Sequence, residues 1–344
     1  MMAQTDELLA ILRDVLLTVR LDNQERFQQI VLEEKAGQEA RLVPAGHGVV
    51  NRRLRAYFNE ADWAAEQMGG VSYLFFLRQL AQAVDTDWPN VLGTLEQIRQ
   101  TLLNRNAMLC NVTLDETNWG RFEAKLADFL TALPGAPVKR AEWSPQYGTG
   151  FEGMTIPAQV NYVGKGASLY DLGYKWHGSA AVITRYLRNT WLWDRLRVQG
   201  GAYGGFCFFD HRSGILSYVS YRDPNLLTTL DNYDRASQFL RQLELNEDEL
   251  TKSIIGAIAD MDAYQLPDAK GYTSMLRYLT GDTDQARQRM RDEILSTTPT
   301  DFKAFADVLD QVNDEGLVVV LGSQAAIEAA NAARQGWLNV FKVL

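Results

Sequence analysis

The sequence predicts an α+β protein in which an antiparallel-rich sheet is packed by helices. Three observations predict it. The first hundred residues carry helical periodicity, a breaker cluster follows near residues 134–150, and beyond it short alternating strands are interleaved with helices. At 344 residues, the chain is long enough for two domains at about 100–200 residues each.

In the first part, Leu8, Ile11, Leu12, Val15, Leu16 and Val19 share a helical face, with Thr5 as N-cap and Asp6 and Glu7 in the first turn. Asp22 and Glu25 have capping-box spacing ahead of Phe27, Ile30 and Val31. Val91, Leu95, Ile98 and Leu102 mark another helix. Met108, Cys110, Val112 and Leu114 then alternate with Asn111 and Thr113, the period-2 signature of a strand. A helix follows from about Glu116 to Leu133. One strand makes no sheet, so the expectation is that this strand's partners lie upstream of the chain.

Pro134-Gly135-Ala136-Pro137 and Ser144-Pro145 to Gly150 mark the boundary. The expected organisation is 1–135, the linker 136–150, and 151–344. In the last part, Ile156–Val163 reads as a strand and His177 to about Leu196 as a buried helix. Tyr203–Phe209 and Ile215–Tyr221 read as a hairpin around Asp210-His211-Arg212-Ser213-Gly214. Asp223-Pro224 has the form of an N-cap with proline at N1. Asn246 and Glu249 cap the next helix, and two or three helices run on to about Val312. A strand at Gly316–Leu321 leads into a last helix from Ser323. The strand–helix endings at 107–133 and 316–332 look alike, which predicts two related domains.

Composition excludes several classes. Apolar residues are 46% and charged residues 22%, an ordinary globular balance that needs no disulfide or metal to hold a core. Cys110 and Cys207 each lie in an apolar run and read as buried free thiols. The net charge of −9, with no basic run, argues against nucleic acid. The longest apolar runs, such as Leu317–Leu321, are too short for a bilayer. Met1 to Glu7 lacks the basic and apolar regions of a signal peptide. The expected location is therefore cytoplasmic in a bacterium, or an organelle matrix in a eukaryote.

Candidate chemistry is sparse. His47, His177 and His211 are the three histidines, none four residues from another, so no zinc motif is present and no metal site is expected. Gly164-Lys165-Gly166-Ala167-Ser168 weakly resembles a phosphate loop but lacks its upstream glycine, and reads as a strand-end turn. The most informative stretch is Leu192-Trp193-Asp194-Arg195-Leu196-Arg197-Val198-Gln199-Gly200-Gly201-Ala202-Tyr203-Gly204-Gly205, which passes from a helix end through paired glycines into a strand. Two readings stand for it: Arg197 and Tyr203 converge on one ligand, or they are a solvated arginine and a packed tyrosine at a helix C-cap.

Arg197-Val198-Gln199-Gly200-Gly201-Ala202-Tyr203-Gly204 resembles a signature of the presequence proteases, within the insulinase/pitrilysin zinc metallopeptidase family. So do Ser217 to Leu226, Gly46-His47, and Gly69-Gly70-Val71-Ser72-Tyr73, so that the likeness covers essentially the whole chain. The resemblance implies insulinase-like two-layer sandwiches, one partial over 1–135 and one complete over 151–344. It implies a zinc metalloendopeptidase that degrades unstructured peptides in a closed chamber, with zinc bound by an N-terminal catalytic half absent from this chain. It implies Arg197 and Tyr203, with Gly200 and Gly201, as substrate-binding residues, and no catalytic or metal residue here. The chain alone is expected to be inactive. The alternative is a non-catalytic partner subunit of a two-chain peptidase. Self-association remains open.

Overall fold

The computed structural model describes residues 4–344, so Met1–Ala3, read above for a signal peptide, lie outside the described residues. The helical first part comprises α1 (Thr5–Leu17), α2 (Gln24–Arg41), α3 (Gly46–Arg55), α4 (Glu60–Gly69), α5 (Val71–Thr86), α6 (Trp88–Leu102) and α7 (Glu116–Ala132). Then come β1 (Phe151–Thr155), β2 (Tyr162–Ser168), α8 (Ser179–Leu187), β3 (Gly204–Asp210), β4 (Ile215–Tyr221), α9 (Leu227–Asp234), α10 (Ala236–Gln242) and α11 (Glu247–Met261). α12 (Pro267–Thr280), α13 (Asp284–Leu295), α14 (Pro299–Glu315), β5 (Leu317–Gly322), α15 (Gln324–Ala333) and β6 (Asn339–Lys342) complete the order. The class is α+β.

The chain forms two compact units that interleave along the sequence. One is Met1–Lys35, Phe76–Trp143 and Tyr264–Thr283; the other is Ala36–Phe75, Ser144–Ala263 and Asp284–Leu344. This grouping cuts across the linear division at 136–150. The reason is the apolar face of α3: its Val50 and Leu54 are fully buried with Tyr162, Val219, Val319 and Leu321 of the sheet.

The sheet of the second unit has six strands in the order β3-β4-β2-β5-β1-β6. The pairings β3–β4, β4–β2 and β2–β5 are antiparallel, while β5–β1 and β1–β6 are parallel. Val318 and Val320 of β5 enter the core with α8 and α14, and Val319 and Leu321 enter the core with α3. A strand buried on both faces reads as a continuous apolar run, as Leu317–Leu321 does.

Several local expectations shift. The strand expected at Ile156–Val163 is two strands, β1 before it and β2 at its end, because Pro157 has no N–H to give a ladder. Asn23, not Asp22, caps α2, accepting from the Arg26 N–H at 3.0 Å. Thr5 is the first residue of α1, after Gln4. Gly164–Ser168 is neither phosphate loop nor turn: it lies within β2 with every residue buried. The Lys165 ammonium is satisfied there by Asp234 at 2.6 Å and the Asn313 carbonyl at 2.9 Å.

In the first unit, residues 108–114 form no strand among the described residues. Their alternation is that of a strand, but a strand needs a ladder partner to satisfy its N–H and C=O groups. Cys110 is accordingly exposed, not buried, while Cys207 is buried as expected. No residue of α1, α7 or α12 is buried, and Leu8, Ile11, Val15 and Leu102 are exposed. Segments with few buried apolar contacts open first. Limited proteolysis is therefore expected to cut in 1–35, 103–115 or the 134–150 stretch before it touches the sheet. Equal hydrogen-exchange protection of α1 and β5 would contradict this.

Candidate substrate-binding site

α8 continues without a break into a π-helical segment, Arg188–Gln199, which ends at the paired glycines. Such helices are uncommon and cluster at functional sites. Leu192 and Leu196 are buried and anchor the segment on the core. Trp191 is half-buried, and its indole N–H donates to the Asn232 carbonyl at 2.8 Å. Trp193, Arg197 and Val198 are exposed.

The chain then turns at Gly201, whose φ of +77° lies in the region that favours glycine. The turn is closed by hydrogen bonds from Gly201 N–H to Arg197 O at 3.2 Å and from Ala202 N–H to Leu196 O at 2.8 Å. Tyr203 enters the sheet edge next, its N–H donating to Tyr221 O at 3.0 Å. This turn brings the two residues singled out in the sequence together. The Arg197 guanidinium carbon lies 5.4 Å from the centroid of the Tyr203 ring and 4.2 Å from that of Trp193. Such cation–π contacts are worth about 0.5–1 kcal/mol at exposed sites. Tyr203 remains 63% exposed, so its hydroxyl is presented to solvent on a partly held ring.

The second stretch of sequence likeness, Ser217 to Leu226, braces the turn from below. The Asn225 side-chain amide donates to the Gly200 carbonyl at 2.7 Å. Asn225 is held by Asp223, whose Oδ1 accepts its backbone N–H at 2.9 Å and whose Oδ2 accepts the Thr229 hydroxyl at 2.6 Å. Asp223 is fully buried, and that burial raises its pKa against the pull of the Thr229 and Asn225 hydrogen bonds. Asp223 is thus not the N-cap expected from Asp-Pro: α9 starts at Leu227, and the carboxylate organises the turn instead.

The three histidines sit on separate elements. His47 is at the start of α3, where burial lowers its pKa. Nδ1 of His177 lies 2.8 Å from the Ser179 hydroxyl just ahead of α8. His211 stacks on Trp176 at the hairpin tip. Among the described residues, no three His, Cys, Asp or Glu side chains cluster in a way that would hold a metal ion. The arrangement offers hydrogen-bond donors and positive charge at Arg197 and Tyr203, without a nucleophile or base beside them.

Trp193 was not singled out as a site residue, although its spacing four residues before Arg197 on a helix was legible. Asn225 and Tyr221 reach the site through tertiary pairing, which no local pattern announces.

Residues 151–324 match the family model described as PreP C-terminal domain, and residues 1–80 match one described as a peptidase-associated region. The chain is 48% identical to presequence protease 1, chloroplastic/mitochondrial, of Arabidopsis thaliana, over 100% of this chain and 32% of that protein. It is 28% identical to protein HypA of Clostridium perfringens, over 95% of this chain and 33% of that protein. Among solved structures, pitrilysin aligns with a TM-score of 0.57 at 13% identity, over 91% of this chain and 33% of that one. The chain thus spans about a third of the length of the curated relatives it matches. No helix among the described residues is long and apolar enough to cross a membrane.

Proposed function

The chain belongs to the presequence-protease family within the insulinase/pitrilysin peptidases, and from that premise we propose that it is the substrate-holding, metal-free C-terminal portion of a zinc metalloendopeptidase. Its substrates are unstructured peptides cleaved in a closed chamber. The observation that carries this reading is the exposed pairing of Arg197 and Tyr203 across the Gly200-Gly201 turn.

In this reading the Arg197 guanidinium and Tyr203 hydroxyl donate to a peptide carbonyl oxygen, where negative charge grows as the carbonyl is attacked. Gly200 and Gly201 leave room for the peptide backbone. β3, an edge strand that begins directly after Tyr203, has unpaired backbone groups beside the site to which an extended chain adds. Zinc, implied for the whole enzyme, finds no fitting donor set among the described residues, so its site belongs to an N-terminal half outside this chain. The same division accounts for residues 108–114, which pair with a sheet of that other part. Residues 1–135 then form the latter portion of one insulinase-like domain and 151–344 a whole one.

Purified chain is expected to carry no stoichiometric zinc by metal analysis and to leave a quenched peptide uncut. One tightly held zinc per chain, removed by chelator with loss of peptidase activity, would overturn the proposal.

A further inference from the structure

α3 begins against the end of the β3–β4 hairpin that carries Tyr203. Its first residue, Gly46, lies flat on Tyr162: a Cβ there would sit 2.5 Å from the ring, so a larger residue would push the helix off. The Tyr162 hydroxyl donates to the Val43 carbonyl just ahead of the helix and fixes the approach from the other side. The start of α3 is therefore set in register with the sheet.

His47, the next residue, uses that register. Its ring centroid lies 4.7 Å from that of Tyr221 and 5.5 Å from that of Phe206. Tyr221 meets Tyr203 edge-on at 5.4 Å and an interplanar angle of 89°. On its remaining sides Tyr221 is flanked by Tyr162 at 6.0 Å and by the Arg222 guanidinium at 5.6 Å. Arg222 itself holds φ +48°, a conformation that costs a non-glycine residue energy and persists where the surroundings impose it. Nδ1 of His47 is buried with no hydrogen-bond partner, and burial favours the neutral ring. The imidazole thus serves as a flat wedge, not as an acid or base.

Tyr203 has few other constraints. Its ring is mostly exposed, and it is held by its contacts with Tyr221 and Arg197. A side chain that must present its hydroxyl in one place needs packing to choose its rotamer. We propose that His47 is a positioning residue, which fixes the Tyr203 hydroxyl through the intervening Tyr221 ring. The proposal rests on the role of Tyr203 given above.

The test is a double-mutant cycle in the full-length enzyme, read by steady-state kinetics on a quenched peptide alongside thermal melts. His47→Ala is expected to lower kcat on the order of 10- to 100-fold with KM nearly kept, as a displaced catalytic contact does. His47→Phe, which restores a flat ring, is expected to recover most of that loss. In a Tyr203→Phe background, His47→Ala is expected to cost nothing further, because the hydroxyl it positions is gone. An equal loss in both backgrounds would make His47 merely structural and overturn the inference. So would normal kcat in His47→Ala while Tyr203→Phe is impaired. If Tyr203→Phe alone is unimpaired, the role of Tyr203 fails instead. Should His47→Ala not fold, His47→Leu, which keeps apolar volume but not a ring, carries the same comparisons.

Discussion

Arg53→Met is expected to destabilise the fold by about 3–5 kcal/mol, the cost of leaving a buried charge without its partner. Arg53, on α3, makes a bidentate pair with Glu152 of β1, at 2.7 and 2.8 Å. Its third nitrogen donates to the Ser72 hydroxyl at 3.1 Å and lies 3.4 Å from Glu66 Oε1. Glu66 is fully buried at the end of α4, where Oε1 accepts the Ser72 N–H at 3.1 Å and Oε2 has no partner. One guanidinium thus ties α3, α4 and α5 to the sheet. Methionine keeps the length and apolar stem but leaves two carboxylates facing each other in a dry space.

The pH dependence follows from Glu66. Burial raises its pKa above the ordinary 4.5, against the pull of Ser72 and Arg53. A carboxyl raised in the folded state contributes stability that is present below its ordinary pKa and lost as pH climbs through the folded value. Without Arg53 the folded value rises further, so the deficit of Arg53→Met is expected to shrink as pH is lowered toward 4.5. Urea unfolding at several pH values checks both. A loss below about 1 kcal/mol at neutral pH would show that the network is solvated and dispensable.

What the sequence shows of this fold depends on how far each residue's partner lies. Asn246 accepts from the Glu249 N–H at 2.9 Å, and Ser323 caps α15 by accepting from Ala326 at 3.1 Å. Both caps are local, and both were legible. So were the β3–β4 hairpin and the buried β5. The short strand β6, Asn339–Lys342, was missed because it is mostly exposed at the sheet edge and shows no alternation of burial. The strand expected at 108–114 was over-read because periodicity reports a tendency, while a strand also needs a neighbour.

The site divides in the same way. Arg197, Gly200, Gly201 and Tyr203 lie close together along the chain, and their juxtaposition follows from one helix end and one turn. Their supports come from elsewhere: Asn225 beneath Gly200 is 25 residues further on, and His47 behind Tyr221 belongs to a helix that precedes the whole sheet. No spacing rule connects them. Trp193 was overlooked because an aromatic at helical spacing usually belongs to a core, whereas here it is 49% exposed and lies against Arg197.

Tyr203 and Arg197 carry the functional assignment. In the full-length enzyme, Tyr203→Phe keeps the ring, its contact with Tyr221 and its place beside Arg197, and removes a single hydroxyl. If that hydroxyl donates to the developing oxyanion, kcat falls on the order of 10²–10³-fold. If it merely helps hold the peptide, KM rises and kcat is nearly unchanged. Arg197→Ala is expected to lose at least as much. It removes the charge together with the stacking on Trp193 and Tyr203, so part of its effect is on the turn itself and shows as a lowered melting temperature. The most direct measurement is therefore the steady-state kinetics of Tyr203→Phe on a short quenched peptide, with a thermal melt of the same preparation. An unchanged melt and a large fall in kcat are expected. Wild-type kcat/KM would contradict the assignment and leave the motif as a helix end with a packed tyrosine.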